Sequence, residues 1–467
     1  STGKLTTTGI GAHGIEAQSV GGGGGDAGMN FVGGVAGGIT DTIYAASFLM
    51  GGSGGNSGSA GTVSVNNFSE IVTNRAESNG VLAQSIGSGG GNGNYNMGVT
   101  LALAGSAKDT ISGSLTIGGQ PGDGGYATTV YVNQVGNIET FGDLSNGVVA
   151  QSIGGGGGNV GLDLNIAMGL TNVSKSLDVT LGKVGGTGGT SGTVTLVADG
   201  TIHTRGKESV GLLAQSIGGG GGTSSSTSVV ASQESTADGK LDKDEARVSI
   251  GRQGGEGGSS NDVTVNAVGI IVTEGARSHA IVAQSVGGGG GLAGSGSTLN
   301  FVGAAPTIGV AVGGAGGLGG VSGKVNVTSN AEIYTSYSAS LESPGADSSI
   351  GILAQSIGGG GGVGGDAWTG GIGYLPMSVS VAVGGSGGAG NASETVDVSS
   401  SGIISTNSIN SYGILAQSIG GGGGNAGTVI NCVLPIRQVT PDSGATIAAV
   451  QVGGVGGEGA IAREVTV

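Results

Sequence analysis

The sequence predicts an all-β fold, a parallel β-helix or β-solenoid of seven tandem units, and three observations carry that prediction. Glycine supplies 113 of the 467 residues and is spread along the whole chain, a density no long helix survives, since each interior glycine costs about 1 kcal/mol relative to alanine. Between the glycines lie short runs of period two, such as VTLALAG (99–105), TVTLVADG (193–200) and SVSVAVGG (378–385), the alternation expected of strands. Ala-Gln-Ser followed by glycines recurs seven times, at Ala17, Ala83, Ala150, Ala214, Ala283, Ala354 and Ala416, with spacings of 66, 67, 64, 69, 71 and 62 residues. A fixed period of this kind is the mark of stacked repeats, none of which buries its apolar stripe alone.

Composition excludes several alternatives. Disordered chains combine low hydrophobicity with high net charge, whereas mean hydropathy here is positive and the net charge is −15. The excess of Asp and Glu, 30 against 15 Lys and Arg, argues against nucleic acid, which calls for clustered basic residues. No apolar run approaches the ~18 residues of a membrane helix. Cys432 is the sole cysteine, so no internal disulfide forms.

Each unit reads in the same order. The Ala-Gln-Ser strand runs into a first glycine tract, and a second tract follows, for example GGQPGDGG (118–125), GGTGGTSG (185–192) and GGAGGLGG (313–320). Then comes a pattern close to G-x-V-x-V-x-x-x-G-x-I-x-T-x-G-x-x-S-x-G-I-x-A-Q-S. Residues 192–216, GTVTLVADGTIHTRGKESVGLLAQS, read as three short strands with glycine corners. Three strands and a full turn in that segment alone favour more than one coil per unit. The whole chain, 1–467, reads as one continuous array, and both ends fall inside a unit, which suggests a segment of a longer array.

One slot of the motif is held by Gln18, Gln84, Gln151, Gln215, Gln284, Gln355 and Gln417, and the next by Ser19, Ser85, Ser152, Ser216, Ser285, Ser356 and Ser418. A nucleophilic serine needs a base beside it and is not repeated seven times. In-register amides and hydroxyls that bond along a stack, or satisfy corner backbone groups, are the better reading. The glycines after them permit close backbone approach, with an extended polyglycine-II-like packing as one arrangement.

Sites for chemistry are sparse. His13 and His279 lie four residues before an Ala-Gln-Ser, in a slot filled elsewhere by Asn79, Asn146, Val210, Ile350 and Tyr412, a range expected of an exposed face rather than of metal or acid-base duty. No Gly-Lys pair continues with Ser or Thr, so nucleotide binding is set aside. Only GGGGGDAG (21–28) starts like a calcium β-roll. The stretch ESTADGKLDKDE (234–245) partly matches an EF-hand loop, with Asp238, Asp242 and Glu245 as the candidate calcium ligands; Glu234 and Thr236 depart from that pattern, and a charged surface insertion is the simpler reading. No other cofactor is expected. Residues 228–247 and 334–348 read as variable loops. Trp368 and Tyr374 mark either a contact surface or a packed corner.

The phrase GILAQSIGGGGG at 351–362 and 413–424, with its preceding GxIxTxG strand and its following VxVAVGGSGGAG tract, resembles the glycine-rich passenger repeats of autotransporter proteins of Gram-negative bacteria. The likeness covers all seven units. It implies a non-enzymatic passenger, exported and threaded through the outer-membrane translocator barrel of its own precursor, then displayed outside the cell or released as a β-helical stalk or adhesin. The partners implied are further copies along or between fibres and glycans on host or neighbouring cells. The competing class is a ligand-binding solenoid for glycan or calcium, whereas ice binding would need a regular Thr-x-Thr ladder that IVTN (71–74), IHTR (202–205) and IIST (403–406) do not form.

Overall fold

A computed structural model describes residues 3–38, 42–104, 110–170, 173–233, 242–302, 306–336, 348–373, 377–435 and 446–467. Every described element is a strand, and every strand pairs in parallel with its equivalent one unit away. Ala83 pairs with Ala150, Ala150 with Ala214, and so on through Ala416. Each unit is therefore one wide coil. The expectation of several coils per unit is corrected: the strands before Ala-Gln-Ser close only one half of the coil, and the stretch between the two glycine tracts supplies the other half.

The second unit illustrates the path. Motif strand Val81–Ile86 leads through the first glycine tract into Asn96–Ala104; the chain returns along Thr110–Ile117, passes the second tract, and closes through Val130–Val135 and Ile138–Thr140. Stacking the coils makes four sheets: the motif sheet, a facing sheet from the segments after the second tract, and an outgoing and a returning sheet of seven strands each. In the third and fourth coils the facing segment is a single bent strand, Val194–Thr204 or Val263–Thr273, where two strands had been expected. Its bend falls at Gly200 and Gly269, with φ of +129° and +100°, a backbone region that only glycine enters without strain.

Val, Ile, Leu and Ala from alternate positions of the motif and facing sheets meet in one apolar core that spans all seven coils. Ile71, Ile138, Ile202, Ile271 and Ile333 form a fully buried column within it, each worth roughly 1.5–3 kcal/mol of burial. On the far side of the glycine tracts, the outgoing and returning sheets pack against each other as a fin. The region read as a loop at 228–247 belongs largely to this fin, as strands Thr227–Gln233 and Asp242–Ile250; alternation such as SVVAS and ARVSI fits strands better than a loop. Of 334–348, residues 337–347 lie outside the described residues, and Tyr334 and Thr335 end a strand.

Candidate functional site

The motif strands point Gln outward and Ser inward, as period two requires. Each glutamine donates through Nε2 to Oε1 of the next: Gln18 to Gln84 and Gln84 to Gln151 at 2.7 Å, then Gln151, Gln215, Gln284 and Gln355 each to its successor at 2.6 Å, ending at Gln417. The ladder is unbroken over seven coils. Each link is a net gain of about 1 kcal/mol, and the registry it imposes is repeated at every coil.

The inward serines clasp two coils across the core. Ser85 Oγ donates to the Gly61 carbonyl at 3.1 Å and accepts from the Thr128 N–H at 2.9 Å; Ser152 does the same with Thr128 O and Gly192 N–H. These backbone groups sit where the second glycine tract enters the facing sheet, so the serine satisfies polar atoms that would otherwise be buried unpaired.

The glycine tracts form a hydrogen-bonded lattice of period three, the pattern of a three-residue helix of the polyglycine-II kind. One residue in three donates along the axis: Gly87, Gly90 and Gly93 reach Ile153, Gly156 and Asn159 of the next coil at 2.8, 2.9 and 2.8 Å. The next donates sideways into the other tract. The Gly122 N–H reaches Gly91 O, Gly158 reaches Gly122, Gly186 reaches Gly158 and Gly222 reaches Gly186, at 2.8–3.0 Å, in a zigzag that runs from Gly25 to Gly457. The third residue faces solvent. A Cβ on Gly155 or Gly157 would lie 1.9 or 2.0 Å from a neighbouring carbonyl oxygen, whereas one on the exposed Gly156 would lie 3.8 Å from its nearest neighbour. Close approach, rather than turning, is what retains the glycines.

Two further ladders follow the repeat pattern. The Thr of I-x-T and the Ser of x-S-x-G clasp the turn before each motif strand: Thr73, Thr140, Thr204 and Thr273 Oγ1 donate to the carbonyls of Ser78, Ser145, Ser209 and Ser278 at 2.6–2.7 Å. Each serine Oγ then accepts the N–H of its counterpart one coil back. The residue before the serine holds a left-handed conformation, as at Glu77, Leu144, Glu208 and Arg277 with φ of 53–59°. Recurrence of Thr and Ser five residues apart was the available signal.

The histidine slot is also corrected. His13 and His279 Nδ1 accept the N–H of Asn79 and Ile350 at 3.0 and 2.9 Å, and the Asn79 and Asn146 side-chain oxygens accept the N–H of Asn146 and Val210 at 2.8 and 2.7 Å. The slot is an inter-coil bridge that favours an acceptor, not a freely variable exposed face. Burial holds the His279 pKa below its usual value, which keeps the ring a neutral acceptor. His203 bonds Glu274 at 2.7 Å, beside Arg205, which pairs with Glu139 and Glu274 and lies over Phe141.

Within the fin the interior is largely polar, with a few buried apolar residues such as Ala167, Val229 and Ala311. Arg247, Asp178 and Glu245 are buried together: Arg247 bonds Glu245 and Asn300, its Nε lies 3.9 Å from Asp178, and Asp178 accepts from Ser114, which also bonds Asn165. Asp163 accepts from Asn96 at 2.7 Å, and burial pushes its pKa up to about 6 against the hydrogen bonds from Asn96 and Ser225. Burial also raises the Asp178 pKa, against the Ser114 bond and the Arg247 charge. Of the candidate calcium ligands, Asp238 lies outside the described residues, Asp242 opens a strand, and Glu245 is engaged with Arg247 inside the fin. Among the described residues no three His, Cys, Asp or Glu side chains gather as a metal site. Trp368 points outward from the fin rather than into a corner, and Tyr374 lies outside the described residues.

No protein-family model, no curated protein and no solved structure matches this chain.

Proposed function

We propose that the chain is an extracellular structural or adhesive protein, a stiff stalk or fibre element displayed or secreted by a Gram-negative bacterium. The observation that carries this reading is the run of unbroken axial ladders, of glutamine, serine and glycine backbone, through all seven coils. Such ladders serve length and rigidity, and they spend the repeated polar side chains on neighbours within the rod. The resemblance to autotransporter passenger repeats supplies the surface location and the translocation route.

Two measurements test the reading. Cryo-EM of the purified chain is expected to resolve rods with an axial rise of ~4.8 Å per unit, the spacing of paired strands. Antibodies against the rod are expected to label intact cells of the source bacterium; labelling only after permeabilisation would sink surface display while leaving the rod intact.

A further inference from the structure

The fin turns most of its large apolar side chains outward. Its interior holds Asn96, Thr100, Asp163, Asn165 and Arg247 beside a few apolar residues such as Val229 and Ala311, while larger apolar side chains line both outer faces. The outgoing sheet carries Phe31, Leu101, Met168, Phe301, Trp368 and Leu434 at outward positions, with Phe31 60% exposed, Phe301 41% and Trp368 37%. No outward position in its described strands bears a charge, in a chain of net charge −15. The returning sheet has charges near its tip, at Lys175 and Asp244.

The size of the outgoing face identifies what it fits. Seven strands of seven to nine residues, at ~4.8 Å between strands and ~3.3 Å per residue, give a flat surface of ~800 Å². The face is apolar apart from Ser228, Ser232, Ser297 and a few glycines, and ~800 Å² is one partner's share of a standard stable interface. An identical rod presents its ridges at the same axial repeat, so side chains meet grooves at every coil, and an uncharged face lets two acidic chains approach. Aromatic side chains in the first, fifth and sixth coils supply the anchors that such interfaces concentrate.

The geometry points to a second copy of this chain as the occupant: two rods pack their outgoing sheets face to face, with the fins forming a shared apolar seam. This deepens the proposed fibre reading by naming the surface through which rods join side by side.

The test is the mass of the full chain by sedimentation and light scattering at concentrations up to about 50 µM, a range in which an interface of standard size associates. The native chain is expected to be dimeric or larger. Met168→Glu combined with Phe301→Glu is expected to weaken self-association about 100-fold, as unpaired charge buried in an interface does, with circular dichroism and melting unchanged. Leu177→Glu with Ile308→Glu, on the returning sheet, is expected to leave association intact. If the Glu pair fails to fold, Met168→Gln with Phe301→Gln carries the same comparison. A native chain that stays monomeric overturns the inference, as does dissociation by the returning-sheet pair alone. So does monomeric flotation with phosphatidylcholine–phosphatidylglycerol vesicles, which would make the face a lipid contact. Single unpaired rods in cryo-EM would reject the seam and keep the rod, whereas particles without an axial repeat would reject the rod itself.

Discussion

Between the motif and facing sheets the interior is Val, Ile, Leu and Ala; between the two fin sheets it mixes Asn, Thr, Ser and an ion-paired cluster with a few apolar residues such as Ala167, Val229 and Ala311, and most of the large apolar side chains turn outward. Both lobes belong to the same coils and share the same parallel pairing. Backbone stacking therefore fixes the architecture, while the choice of face to bury is made separately in each lobe. One lobe draws its stability from hydrophobic burial, and the other leans on the hydrogen bonds and ion pairs among the polar groups it buries.

The largest expected effect comes from breaking the fin's charges. Arg247→Met strands two carboxylates beside each other in the interior and is expected to cost roughly 3–5 kcal/mol, read as early loss of hydrogen-exchange protection in the fin while the apolar lobe stays protected. Replacing Arg247, Asp178 and Glu245 together by apolar residues is expected to recover most of that loss; no recovery would mean the cluster does more than neutralise itself. Between the lobes, Gly157→Ala forces a Cβ onto the Gly186 carbonyl and is expected to cost about 3 kcal/mol, whereas Gly156→Ala should shift the thermal midpoint little. Equal effects of the two alanines would refute the close-approach account of the lattice.

A carboxyl whose pKa is raised on folding contributes stability that is complete below its unfolded value and is lost as pH rises through its folded value. For Asp163 that window runs from the ordinary carboxylate range up to about 6, and Asp178 acts in the same direction. The fin is therefore expected to melt later near pH 4 than near pH 7, and Asp163→Asn should shrink that shift. The smallest effect is expected at the half-buried glutamine ladder, where Gln215→Ala removes two links at about 1 kcal/mol each at most, measured by chemical denaturation.

The legible part of the fold was the part written in spacing. Seven regularly recurring Ala-Gln-Ser strings and period-two runs pointed to strands and stacking, whereas the choice between a Gln ladder along the stack and a corner clasp hung on the number of coils. The number of coils was misread because the half-coil at 192–216 looks complete: nothing in its strands says that the closing half lies on the far side of two glycine tracts. Alternation also identifies a strand without saying which face is buried, so ARVSI reads the same whether Arg247 or Val248 points inward. The histidine slot is hard to read because what His and Asn use in common there is one side-chain acceptor, a likeness that residue classes conceal.

The paired glycine tracts have a consequence for how the rod bears force. A pull along the axis loads a whole coil's worth of backbone bonds at once, because the sheets and the glycine slab are all bonded in that direction and in parallel. Separating two coils evenly thus means stretching the bonds of an entire cross-section together, and the slab extends that shared load across the middle of the coil, where side chains carry none of it.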